Sequence, residues 1–181
     1  IQCKDAKVLL PKLNAFLEGR HASLSNSLVN GKMALVLYYC LYAELYNLDE
    51  YDDLASNIFH EVEINVRKSA FADFVNGVCG IGWGIMFLHT NSLLDDVEDL
   101  LQRIDLLVME RDVRTNKDYS FSTGLGGVFA YVSQRIILYQ RTGFPQFTHK
   151  YLQELWTAAN NALSMDKIDP RTRTFALQLL E

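Results

Sequence analysis

Apolar residues fall into two arrangements along this chain. In "DDVEDLLQRIDLLVM", residues 95–109, Val97, Leu100, Leu101, Ile104, Leu107 and Val108 recur at helical spacing, with acids on the opposite face. That period predicts an amphipathic helix with one side on a core. "AKVLLPKLNAFLE" (6–18) reads the same way, and so does "DLASNIFHEVEI" (53–64), where Leu54, Ile58 and Val62 share a face. Other segments differ. Residues 31–46, 77–90 and 124–140 are apolar nearly all round; the first holds an early Lys32 and a late Glu44, and the second no Asp, Glu, Lys or Arg. Such runs predict helices buried on every side. A strand reading of "ALVLYYCLY" and "GVFAYVSQRIILY" has β-branched and aromatic residues in its favour. Neither alternates with period two, and both exceed ordinary strand length.

Each all-round apolar run opens at a glycine that follows a small polar residue: "SLVNGKMALVLYYCL", "DFVNGVCGIGWGIMFL" and "SFSTGLGGVFAYVSQ". Gly31, Gly77 and Gly124 are 46 and 47 residues apart. Near-equal intervals predict an all-α repeat of helical hairpins, stacked in an inner apolar and an outer amphipathic layer. A glycine inside a helix costs roughly 1 kcal/mol relative to alanine. Close approach of neighbouring inner helices is expected to offset that cost at Gly80, Gly82 and Gly84. A leading glycine suits the turn before a helix, with backbone N–H groups open at its start, and the inner-helix N-termini are expected at one end around a shared central space. Beginning at Ile1 and ending at Glu181 within "RTRTFALQLLE", the sequence reads as one all-α domain fragment over 1–181, of three hairpins and part of a fourth.

"NGVCGIGWGIMFL" and "STGLGGVFAYVSQRI" resemble the small-Gly-x-x-Gly-[Ile/Val] repeat that opens inner helices in the lanthionine synthetase C-like family. The resemblance covers most of residues 24–140. It implies an (α/α)6 toroid, of which these residues would supply about half, since six hairpins at this period need roughly 280 residues. It also implies peptide modification: bacterial cyclases of the family use zinc to activate a peptide cysteine thiolate for addition to a dehydrated Ser or Thr. The family's zinc-binding Cys and Cys-His and its His-Gly motif lie in later repeats, and no Cys-His or His-Gly dipeptide occurs here. No metal or cofactor is therefore expected in these residues, and zinc would be held beyond Glu181. Family cyclases carry an Asp four residues before the third glycine, where this chain has Ser120. A neutral hydroxyl cannot replace a carboxylate base near neutral pH, so nearby Asp118 joins Ser120 as a catalytic candidate.

Other constellations are weaker. His21, His60, His89 and His149 are dispersed, and His60 with Glu63 on one helical face reads as a solvated outer pair rather than a metal site. Cys40 and Cys79 on inner helices read as small buried hydrophobes, and Cys3 near the chain start is uninformative. "GVCGIGWG" lacks the strand and acid of a dinucleotide site, and "GLGGV" lacks the Lys-Ser/Thr of a phosphate loop. Asn76 and Thr123, beside inner-helix starts, are substrate-binding candidates for an anionic group. Tyr38, Tyr39, Trp83, Phe87 and Tyr131 read as core first and as a peptide or sugar groove second. The polar connector "RDVRTNKDYSFS" (111–122) leads onto an inner-helix start and is the favoured place for substrate-facing residues.

Composition narrows the partners. The 181 residues are 49% hydrophobic and 22% charged, with a net charge of −5 and no basic stripe, which argues against nucleic acid. No stretch is apolar for about 18 residues, so no membrane span is expected. Three widely spaced cysteines and no signal-type segment point to a cytoplasmic setting. Expected partners are a peptide substrate or a partner protein, with self-association through exposed inner-helix faces. Two alternatives to a cyclase-type enzyme stay open: a non-catalytic peptide- or partner-binding toroid, and an α/α-toroid carbohydrate-active enzyme using Asp73 and Asp118.

Overall fold

Every predicted helix forms. The computed structural model describes the backbone of residues 3–68 and 72–181 and the side chains of 9–67 and 72–181; the side chain of Cys3 lies outside the described residues. Among these residues there are nine α-helices and no strand. They are α1 (Cys3–Glu18), α2 (Lys32–Tyr46), α3 (Asp49–Asn65), α4 (Val78–Thr90), α5 (Glu98–Met109), α6 (Leu125–Ile137), α7 (Tyr139–Thr142), α8 (His149–Leu163) and α9 (Pro170–Leu180). Both segments with strand-like composition are helical, because all-round burial supplies packing that outweighs β-propensity.

Two layers are present. Helix α2 packs on α4, α4 on α6 and α6 on α9, while α3 packs on α2, α5 on α4 and α8 on α9. Helix α9 is thus the fourth inner helix. Its cap is Asp169, 45 residues after Gly124. Asp169 Oδ1 accepts the Arg171 N–H at 2.8 Å, and Pro170 occupies the first turn, so side-chain capping replaces the leading glycine there. Ile81, Ile85 and Met86 of α4 are fully buried with Met33, Tyr39, Ile58, Leu101, Ile104 and Phe129. Each such aliphatic side chain contributes about 1.5–3 kcal/mol by leaving water.

The lead-in loops lie side by side. Val29 N–H donates to the Val75 carbonyl at 3.3 Å, and Val75 N–H donates to the Ser122 carbonyl at 3.1 Å. All three residues stand two places before their glycine, so the repeat glycines sit at one end of the molecule in register. The glycines serve packing rather than an unusual backbone. Gly31, Gly77 and Gly124 have φ of −124°, −113° and −106°, which any residue adopts, so the expected turn preference is not their reason. A Cβ on Gly31 would collide with the Ser27 carbonyl, and one on Gly124 with the Asp118 carbonyl. Within α4, a Cβ on Gly80 would collide with the Phe74 carbonyl and on Gly82 with the Tyr131 ring of α6. On Gly84 it would lie 3.0 Å from the Met33 methyl of α2. Close approach of inner helices is therefore what Gly82 and Gly84 permit.

One face was misassigned by pattern. Asp105 on α5 is fully buried rather than solvated with the other acids, and Arg135, inside the apolar run of α6, is fully buried beside it. Arg135 Nε lies 3.2 Å from Asp105 Oδ2. Tyr131 donates its hydroxyl to Asp105 Oδ1 at 2.7 Å, and Gln146 N–H donates to Asp105 Oδ2 at 3.1 Å. The charges go inside because each finds a partner there.

Candidate functional site

The loop end carries most of the polar residues singled out from the sequence. In the third lead-in loop, Asp118 Oδ1 accepts the Ser120 N–H at 2.8 Å and Asp118 Oδ2 accepts the Thr123 hydroxyl at 3.1 Å. Ser120 Oγ is 3.1 Å from Thr123 Oγ1. Asp118, Ser120 and Thr123 therefore form one exposed cluster. Asn76 occupies the place of Thr123 in the neighbouring loop, and its N–H donates to Asp73 Oδ1 at 2.6 Å. The backbone bond between Val75 and Ser122 brings these two turns together.

The hydrogen bond from the Ser120 backbone holds the Asp118 carboxyl below the usual carboxylate range; burial pushes the other way, and the Ser120 and Thr123 hydroxyls add to the lowering. A carboxylate so held is an anion near neutral pH and accepts hydrogen bonds from its own loop. In two of the loops one first-turn amide is already engaged. Lys32 N–H donates to the Ser25 carbonyl at 2.7 Å and Leu125 N–H to the Asp118 carbonyl at 2.8 Å, so each loop caps its own helix.

Below the loops runs a line of rings. Phe74 is 4.6 Å from Phe121 and 5.9 Å from Trp83 between centroids; Trp83 stacks on Phe87, and Phe121 on Phe175. Arg171 lies over the Phe121 ring at 4.6 Å. Phe74 and Phe121 each stand three places before a repeat glycine, so the line follows from the 46–47-residue period. Trp83 and Phe87 wall a cavity of about 180 Å³ with Thr90, Gln134 and Leu138. Thr90 Oγ1 is buried there without a hydrogen-bond partner among the described residues. Of the other aromatic candidates, Tyr39 and Tyr131 are fully buried in the core, while half-buried Tyr38 packs against it and donates to Asn14 Oδ1 at 2.7 Å.

Among the described residues no three His, Cys, Asp or Glu side chains converge as metal ligands. Burial pushes the Cys40 thiol up to about 11 and the Cys79 thiol well above its ordinary value, so neither offers a thiolate. His60 Nδ1 faces Glu63 at 3.7 Å on the exposed side of α3, as a solvated pair. His89 turns both ring nitrogens to backbone carbonyls.

The sequence reading missed Asp105 and Arg135. Asp105 falls within the stripe of Leu101, Ile104 and Val108, and Arg135 interrupts an otherwise apolar run; those two misfits were the available signal. Compared with protein-family models, curated proteins and solved structures, the chain matches none.

Proposed function

We propose that the chain is an arc of an α/α toroid of the lanthionine synthetase C-like kind and that it receives a peptide along its aromatic line. The observation that carries this reading is the ladder of Val29, Val75 and Ser122, which gathers successive lead-in loops beside Phe74 and Phe121. Four inner helices in sequential contact support the arc. Exposed backbone and the tethered Asp118, Ser120 and Thr123 offer polar contacts, while Trp83 and Phe87 offer apolar area at low entropic cost. Asn76 and Thr123 are then peptide-contacting residues rather than an anion cradle. Binding is favoured over catalysis in these residues because the Asp118 carboxylate is engaged by its own loop and Ser120 stands where the family cyclases have Asp. Thioether-forming chemistry, if the whole protein performs it, would use zinc donors outside these 181 residues.

Screening a displayed library of random peptides against the protein tests this. The expected result is a consensus with apolar or aromatic positions, whose binding Trp83→Ala weakens at least about tenfold while Trp156→Ala, on outer helix α8, leaves it unchanged. No consensus, or one indifferent to Trp83, overturns the reading. Stoichiometric zinc in the purified chain would overturn the placement of the zinc donors outside these residues.

A further inference from the structure

The connector between α6 and α8 is held by its carbonyls. Those of Thr142 and Gly143 accept from Arg135 Nη1 at 2.8 and 2.7 Å, and that of the preceding Arg141 lies 2.9 Å from His89 Nε2. The other ring nitrogen of His89, Nδ1, lies 2.8 Å from the Leu94 carbonyl in the loop after α4. A single imidazole thus spans two connectors far apart in sequence.

Carbonyl oxygens only accept, and a neutral imidazole has one N–H and one lone pair. It can satisfy either Leu94 or Arg141, and its lone pair then faces the other oxygen. Only the imidazolium donates to both. We propose that His89 is a proton-operated latch: protonated, it ties the α4–α5 loop to α7, and on losing a proton it lets one of the two go. Arg135 grips the neighbouring carbonyls whichever contact is lost, so any opening of α7 is confined to the stretch around Arg141.

The charges on the elements around the ring are few. Helix α4 carries none besides His89, which sits in its last turn. The loop holding Leu94 continues into Asp95 and Asp96, and α5 begins with Glu98 and Asp99. Arg141 stands on α7 and Arg135 on α6, the latter paired with Asp105 and Glu98. His149 opens α8 further along the same connector.

Hydrogen exchange tests the latch. The amides of Arg141 and Thr142, which donate to the Leu138 carbonyl, report α7 opening, and those of Ser92 and Leu93, which donate to the His89 and Leu88 carbonyls, report opening of the α4–α5 loop. Corrected for intrinsic rates, the protection of one of these pairs should fall roughly tenfold between about pH 5 and about pH 8, the span of histidine titration. In His89→Gln, whose side chain has the same donors at both pH values, protection should be flat. Should that variant not fold, nitrogen NMR of the wild-type ring decides: both nitrogens should be protonated at the acid end, with the loss of one coinciding with the loss of protection. A ring neutral throughout, protection independent of pH, or an unchanged pH dependence in His89→Gln would each overturn the proposal.

Discussion

The Val75 N–H donates to the Ser122 carbonyl across 3.1 Å, and both residues stand two places before the glycine that opens an inner helix. A backbone bond between equivalent positions of successive repeats fixes their vertical register. Side-chain contacts then repeat with it. Leu28, three before Gly31, lies against Gly80, three after Gly77; Phe74, three before Gly77, lies against Gly127, three after Gly124.

Gly80 is therefore a packing position. In Gly80→Ala the new methyl meets the Phe74 carbonyl and the Leu28 Cβ. Overpacking of this kind costs about 1–3 kcal/mol, against a gain of about 1 kcal/mol in helix propensity, so net destabilisation is expected. Gly19, with nothing within 4 Å of a Cβ, is the control, and Gly19→Ala should stay within about 0.5 kcal/mol of wild type. Urea unfolding midpoints measure both; equal midpoints would mean that the loop does not press on α4.

The buried pair yields a second outcome. Arg135→Met leaves Asp105 buried without its cation, which typically costs about 3–5 kcal/mol. Replacing both, as Asp105→Leu with Arg135→Met, should recover much of the loss, because an apolar pair leaves no uncompensated charge. A double variant as unstable as the single one would place the value of Arg135 in its bonds to Thr142 and Gly143 instead.

Helices and period were legible because burial writes itself into side chains: apolar all round for α2, α4 and α6, one stripe for α3 and α5. Helix α9 was harder to recognise as the fourth inner helix, since Asp169 and Pro170 cap it in place of a glycine. The ladder through Val29, Val75 and Ser122 left no mark beyond the period, because backbone groups are the same in every residue. Asp105 was hidden for the opposite reason. A carboxylate is assigned to solvent by type, and only its partner, 30 residues away on α6, explains why it is inside.

Acid should weaken the third loop. Asp118 titrates below its ordinary value in the fold, so the unfolded chain binds its proton first, and stability falls as pH drops from the usual Asp value of about 3.9 through the lower folded one. At neutral pH, Asp118→Ala should cost about 0.5–1.5 kcal/mol, as loss of a hydrogen-bond acceptor does. The difference from wild type should close in acid. Asp105 acts with the opposite sign. Burial raises its value, so its contribution declines as pH rises from about 3.9 through the raised one. Paired pH–stability curves for wild type and Asp118→Ala separate the two, and a gap independent of pH would mean that the Asp118 charge is irrelevant.

The cysteines give a test that needs no variant. Cys79 is fully buried and Cys40 nearly so, and both thiols are held protonated by burial. Peptide mapping after iodoacetamide should find both unmodified in the native protein at about pH 8 and both modified in urea. Labelling of native Cys40 would show that the end of α2 opens readily, since Cys40 borders a cavity of about 390 Å³ between α2 and the α4–α5 loop.

Inner helices should carry the protein into self-association. Leu41 and Leu45 of α2 are 45% and 74% exposed, Ile137 of α6 50%, and Leu177 of α9 47%. Apolar side chains exposed on three of the four inner helices leave surface that water solvates poorly, and such surface drives association. Light scattering should show a mass rising with concentration. Leu45→Lys with Leu177→Lys should shift the rise to higher concentration without lowering the unfolding midpoint by more than about 0.5 kcal/mol, because neither side chain is packed in the core. A constant monomer mass would mean that neighbouring polar groups screen these positions, and the same mass curve in the double variant would move the contact elsewhere, with Trp156 on α8 and Phe144 in the connector as the next exposed rings.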